Sequence, residues 1–324
     1  MIIPLFFTKF DKNKTMKKLL SLLSIILLIQ CTNNQTIKED ATLEIKPSKT
    51  IQATENKHDT LHKLISRAII LPKKMDFCGE QVPLNKQDIK ERLDKEIHKN
   101  AYFQSNMLLI FKRANRYFPI IEPILKKEGV PDDYKYLAVI ESTLENVTSP
   151  AGAKGIWQFM KGTAKEYGLE VNKNVDERYN IEKTSIIAAR YLKESKNKLG
   201  SWTLAAAAYN AGNKRIKDNI DKQLVNNYYD LLLNQETSRY VFRILAIKEL
   251  ITHPKKYGFE FTKDDLYPIL KYKKIKVTKS IDNLAKFAKK HGVNYKILKL
   301  YNPWLLQNKL KNNSGKTYYI KIPN

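Results

Sequence analysis

The sequence predicts a mainly α-helical protein that ends in a small unit of two strands and two helices, on three observations. Glycine is scarce, with 11 in 324 residues, while Lys, Leu and Asn abound. Apolar residues recur at i, i+3, i+4 spacing from about residue 86 to 255. Past Pro254 the pattern changes to strand-like alternation flanking short helical stretches. Hydrophobic residues at 43% and charged residues at 28% give the balance of a globular chain, which excludes a polytopic membrane protein and a wholly disordered one. The length exceeds one ordinary core and points to two domains.

Taken in order, residues 19–29 form an apolar run of Leu, Ile and Ser, with Lys17 and Lys18 before it and Cys31 after it. A bilayer span needs roughly 20 apolar residues, so this run fits the core of a secretory signal instead. Met16 offers an alternative start. The stretch LLIQC resembles a lipobox, which implies that Cys31 is diacylated and becomes the new first residue; ordinary secretion with cleavage nearby is the other reading. Residues 1–30 are thus an extension and signal peptide, and 31–85 a tether followed by a segment the pattern does not place. The polar part, 32–57, reads as flexible chain.

From residue 86 the helical domain begins, with Ile110, Phe111, Ala114, Phe118 and Ile121 on one face. Pro131-Asp132-Asp133 opens a helix, its acids at the positive end, and Leu137, Ile140 and Leu144 share a face. Further helices are expected at 181–198, 204–209 and 238–250. Residues 256–270 read as a linker. Beyond it, 271–278 alternates as a strand, 280–290 and 295–301 are helical, Asn302-Pro303 breaks the second helix, and 317–322 is a strand. Residues 271–324 therefore form a separate βααβ unit.

The net charge of +25 suits anionic lipid headgroups or acidic cell-envelope polymers once the chain is exported. Its basic residues are scattered, as on solvated faces, and an export signal leads away from nucleic acid. Two cysteines exclude a disulfide framework or a cysteine-rich zinc site, and Cys78 reads as packed thiol. His58 and His62 are four apart but lack the Glu of HExxH, and His98, His253 and His291 are isolated. No metal and no cofactor is implied.

The chemistry concentrates between 141 and 160 and between 206 and 212. Glu141 sits late in an amphipathic helix beside Val139 and Ile140. It is either a solvated helix-face carboxylate or a desolvated one, whose raised pKa would suit a general acid. Ser149-Pro150-Ala151-Gly152 is a turn. Gly155, Trp157, Gln158, Phe159 and Met160 then offer close backbone approach, flat apolar faces and an amide, which together suit a sugar. Trp157 equally fits a core. Gly212 is a natural helix C-cap after Tyr209-Asn210.

These motifs in this order closely resemble the family-1 lytic transglycosylases, whose fold is shared with goose-type lysozyme, and within them the membrane-bound lytic murein transglycosylase D group. The carriers are Glu141-Ser142, the run 149–158 with Trp-Gln-Phe-Met at 157–160, Ala-Tyr-Asn-Ala-Gly at 208–212, and Glu-Thr-x-x-Tyr-Val at 236–241. The resemblance implies a lysozyme-like catalytic domain over 86–255. It also implies that Glu141, as a single acid and base, cleaves the bond between N-acetylmuramic acid and N-acetylglucosamine and closes a 1,6-anhydro ring. Most glycosidases need a second carboxylate; Glu145, Glu166, Asp176 and Glu177 are the candidates for one. Ser149, Gln158, Met160, Tyr209, Asn210 and Tyr240 would line the glycan groove or orient Glu141, while Ser142, Gly155 and Trp157 would be structural.

The carboxy-terminal unit resembles a LysM domain, a binder of glycans containing N-acetylglucosamine. It does so through 275–277, 282–284, 291–293, 301–303 and 320–323, with Lys279-Ser280 where a glycine is usual. Tethering such a module raises the local concentration of the enzyme on its substrate. The implied partners are peptidoglycan strands and, through the lipid anchor, a membrane. The implied place is the cell envelope, on the periplasmic face of the outer membrane. A lysozyme-type hydrolase and a non-catalytic wall-binding lipoprotein are the alternatives.

Overall fold

The computed structural model describes residues 68–324. Cys31, the signal segment, the polar tether, His58 and His62 lie outside the described residues.

A hairpin leads in, with β1 (Asp76–Phe77) paired antiparallel to β2 (Glu80–Gln81). Cys78 and Gly79 between them both have positive φ, 55° and 80°, the backbone a two-residue turn requires. The hairpin belongs to the helical body. Phe77 is fully buried, and the Glu80 carboxylate accepts the backbone N–H groups of Trp202 (2.6 Å) and Thr203 (2.9 Å) at a helix start. The segment 75–85, which the sequence pattern leaves unplaced, is thus a fastening. Burial and the nearby Asp133 carboxylate push the Cys78 thiol well above the ordinary range, so it is packed rather than reactive.

The body consists of α1 (Gln87–Tyr102), α2 (Gln104–Glu128), α3 (Tyr134–Ser142), α4 (Lys161–Glu166), α5 (Ile181–Leu199), α6 (Trp202–Ala211), α7 (Asn213–Gln223) and α8 (Gln235–Thr252). The fully buried Val241, Phe242, Leu245 and Ala246 on α8 share a core with Leu93 and Ile97 of α1 and Leu137 of α3. Helix α8 packs against α1, α3 and α6, while α5 packs against α2 and α6. Asp133 opens α3 without capping it. Its Oδ2 accepts instead from Cys78 N (2.7 Å) and Lys248 Nζ (2.8 Å), tying the hairpin and α8 to the start of that helix.

In the carboxy-terminal unit β3 (Tyr272–Val277) pairs antiparallel with β4 (Tyr318–Pro323), placing Ile275 opposite Ile320. Helices α9 (Leu284–Lys290) and α10 (Tyr295–Tyr301) lie between them in sequence, completing the expected βααβ order. Helix α9 starts four residues later than its apolar spacing predicts. Ile281 bridges Leu310 instead, and the Asn283 side chain caps the helix at Lys286 N (2.9 Å).

The unit is not detached. Val175, from the loop before α5, lies in its core beside Leu305 and Trp304, and Asp176 N donates to Trp304 O at 2.9 Å. The segment predicted as linker is held as well: Phe259 packs on Phe111, and Arg116 stacks over Tyr267 at 5.0 Å.

Candidate functional site

Glu141 is the second-last residue of α3, whose Leu137, Ala138, Val139 and Ile140 are buried. The helix ends abruptly. Thr143 and Leu144 both adopt left-handed backbone, φ 52° and 60°, with no glycine to ease it. Two consecutive strained residues beginning two positions past a titratable side chain mark a turn that the surroundings over-determine.

Glu141 is partly exposed as a residue, yet its carboxyl is largely withdrawn from water. Burial pushes its pKa up from 4.5 to about 7, and the nearby Glu236 carboxylate adds to the rise. A hydrogen bond from Tyr240 Oη to Glu141 Oε1 and the Arg243 guanidinium pull the other way without cancelling it. Arg243 does not pair with Glu141; its Nη2 donates to Ile140 O at 2.8 Å. Of the two readings the sequence leaves open, this arrangement favours a desolvated carboxyl over a solvated helix-face one.

Tyr209 and Tyr240 flank this carboxyl. Burial raises the pKa of each phenol, and the Glu141 charge raises it further, so both stay protonated donors. Tyr209 Oη donates to Trp157 O at 2.7 Å, and Trp157, fully buried, donates from Nε1 to Ser185 Oγ at 2.9 Å. Trp157 is therefore core. Asn210 is engaged at both ends: its Nδ2 donates to Glu236 Oε1 (2.9 Å) and its Oδ1 accepts from Thr237 Oγ1 (2.9 Å).

The loop over 148–159 is braced from within. Ser149 Oγ accepts from Ala153 N (3.0 Å), and Gln158 Nε2 donates to Gly155 O (2.7 Å) and Val147 O (3.2 Å). Ser142 Oγ donates to Ile156 O at 2.8 Å and pins the loop to α3. Gly155 has φ 81°, and a Cβ there would meet Arg178 O at 1.9 Å, so both backbone and space require glycine. Of the six residues grouped around Glu141 by the sequence, Tyr209 and Tyr240 reach its surroundings and Asn210 reaches its neighbour Glu236. Ser149 and Gln158 hold the loop, and Met160 stands 47% exposed beside it.

Glu145 pairs with Arg113, Asp176 with Arg178, and Glu177 with Lys183. The carboxylate that acts on Glu141 is instead Glu236. Sequence reasoning gave Glu236 and Arg243 no role, although their spacing carried the signal. Residues 236, 240 and 243 fall at i, i+4 and i+7, one face of α8.

Residues 118–231 match the transglycosylase SLT domain, and residues 273–324 match the soluble lytic transglycosylase C-terminal LysM-like domain. The chain is 30% identical over 237 residues to membrane-bound lytic murein transglycosylase D of Escherichia coli strain K12, and equally so to that of Escherichia coli O6:H1. Each alignment covers 70% of this chain and 50% of the relative. It is 26% identical over 158 residues to membrane-bound lytic murein transglycosylase F of Cronobacter sakazakii, covering 44% of this chain and 28% of the relative. The chain thus spans about half the length or less of these curated relatives.

Proposed function

We propose that this chain, which carries a transglycosylase SLT domain followed by a LysM-like domain, is a peptidoglycan lytic transglycosylase of the cell envelope. The observation that carries the reading is the Glu141 carboxyl, withdrawn from water, held near pKa 7 and hydrogen-bonded by the Tyr240 phenol. Such a group can give a proton and take one back near neutral pH.

In the proposed reaction, Glu141 protonates the oxygen linking N-acetylmuramic acid to N-acetylglucosamine. The C1–O bond breaks and its electron pair goes to the departing sugar oxygen. Glu141, now ionised, takes the proton of the muramic C6 hydroxyl as that oxygen bonds to C1. The acid is regenerated and no water is consumed. Tyr240 orients the carboxyl, while Tyr209, through Trp157 O, sets the loop that Ser149 and Gln158 brace. Met160 offers an apolar face to the glycan, and Asn210 holds Glu236. The working domains are 86–255 and 271–324 with the segment 256–270 between them. Export through residues 1–30 and lipidation at Cys31 would hold the enzyme on the periplasmic face of an outer membrane.

One observation favours a second reading, in which the same bond is hydrolysed. Glu236, which bears on Glu141 from α8, is a carboxylate of the kind that activates water.

Mass spectrometry of muropeptides released from peptidoglycan by the full chain tests both. Products lighter by one water than hydrolytic fragments, absent with Glu141→Gln, support the transglycosylase. Reducing-end products that Glu236→Gln abolishes move the protein to the hydrolases. Binding without release by the unmodified chain leaves a wall-binding scaffold.

A further inference from the structure

Between the helical body and the carboxy-terminal unit lies an open groove of about 760 Å³ to which the reaction above gives no part. Residues 144–147 line it, three to six positions past Glu141, and so within about 20 Å of it along the chain. Its opposite wall is α10, with Tyr295 and Lys296.

The lining is cationic. Arg113, Arg116 and Lys296 stand with a single carboxylate, Glu145, which Arg113 already holds, while the Lys299 ammonium donates to Leu305 O and Gln307 O. Arg116 lies over the Tyr267 ring, and its Nε donates to Pro268 O at 3.1 Å, which fixes the guanidinium while its Nη groups make no hydrogen bond among the described residues. Lys296 is exposed and has no hydrogen-bond or ion-pair partner among the described residues. Tyr267 and Tyr295 add aromatic faces, and Asn146 an exposed amide.

The walls are also held in place. Val175 bridges Leu305, Leu306 N donates to Asn174 O (2.8 Å), and Tyr318 Oη donates to Glu170 Oε2 (2.8 Å), locking the unit that carries α10 to the helical body. A groove built across a rigid junction is preorganised and needs little ordering when a ligand enters. An uncharged sugar would need only the tyrosines and the amide. Several cations set against one neutralised carboxylate call for a ligand with more than one negative charge, and guanidinium groups match carboxylates geometrically.

We propose that this groove binds the acidic stem peptide borne by the glycan strand, with its carboxylates on Arg116 and Lys296. The inference rests on the peptidoglycan reading of the Glu141 site and adds to it what the enzyme recognises beside the scissile bond.

The test needs no turnover. Full-length protein carrying Glu141→Gln is titrated against glycan strands bearing their stem peptides and against strands stripped of them by an amidase. The peptide-bearing strands are expected to bind about tenfold more tightly, about 1.4 kcal/mol, roughly one charged contact. Adding Lys296→Glu, on an exposed helix face, is expected to remove that preference, and Arg116→Gln to reduce it. Equal binding of both strands by the parent protein, or a preference that survives both substitutions, overturns the proposal. So does a loss seen only on anionic lipid vesicles, which would make the groove a membrane contact. Because binding is read in an inactive background, failure of the muropeptide assay leaves this result intact and the two readings separable.

Discussion

Two regions of this molecule place carboxylates out of water and send their pKa values in opposite directions. At the α3 terminus burial dominates, and Glu141 is raised to about 7. In and beside the loop before α5, burial again acts to raise Glu170, Asp176 and Glu182. There Lys316 with Tyr318, Arg178, and Lys321 with Tyr272 outweigh it, and all three end below their ordinary values. The difference teaches that desolvation alone does not make a reactive acid. What distinguishes Glu141 is that its nearest cation, Arg243, is turned to a backbone carbonyl and a neutral phenol takes the place an ion pair would fill.

Removing each carboxyl should therefore break different things. Glu141→Gln is expected to lower the rate of anhydro-product release by about 10³-fold or more without lowering the melting transition, since general acid–base contributions alone run to 10²–10⁴. A variant that keeps a tenth of the rate would assign the proton transfers to another group. Asp176→Ala should do the reverse. Asp176 and Arg178 are 3% and 4% exposed in their side chains, and breaking such a buried pair leaves an uncompensated guanidinium at a cost of about 3 kcal/mol. An unchanged urea midpoint would show that the hydrogen bonds from Arg178 to Gly152 O and Phe159 O suffice without Asp176.

The two regions should also answer pH with opposite sign. A carboxyl raised from 4.5 to about 7 is protonated in both folded and unfolded states below pH 4.5, and ionised in both above 7. Between these values the folded state holds the extra proton, so stability falls as pH rises through the window, by about 3 kcal/mol in all. Glu141→Gln should consequently gain stability over the unmodified chain at pH 8 and lose that advantage toward pH 4.5. The lowered carboxylates of the loop contribute stability above their unfolded values, and that contribution is lost as the medium is acidified through their folded ones. Denaturant midpoints of both proteins across pH 4–8 test the contrast, and a constant difference would break it.

The parts of this arrangement legible in the sequence are those that repeat or sit in a fixed order. The body of α5 follows from apolar spacing because it buries one stripe. Helix α7 was not readable, since Ile216 is its one buried residue and no stripe forms. The hairpin at 76–81 has two-residue strands, too short to alternate. Glu141 and Tyr240 come from ordered motifs, and Glu236 stood in the same motif without a role. The strained pair Thr143-Leu144 left no trace, because neither residue type announces a left-handed backbone. Docking of the carboxy-terminal unit was equally hidden: Val175 reads as an ordinary loop valine until Leu305 is placed beside it.

Tyr240→Phe is the smallest of the expected effects and the sharpest probe of the comparison. A phenol can donate to an ionised carboxylate and accept from a protonated one, so it accompanies Glu141 through both halves of the proposed cycle. Donation favours the ionised form, which is why Tyr240 lowers a pKa that burial raises. Deleting the hydroxyl removes a hydrogen bond to a charged group, worth about 1.5–3 kcal/mol in general, part of which is regained from the neutral acid. The pKa of Glu141 should then rise further, and the alkaline limb of the kcat/KM profile should move up by about one pH unit, or about 1.4 kcal/mol. An Asp176→Ala control has no means of moving that limb, because it acts on folding. A limb that stays put in Tyr240→Phe would mean that burial and Glu236 set the acidity of Glu141 unaided; a limb that moves down would mean that the phenol stabilises the protonated acid instead.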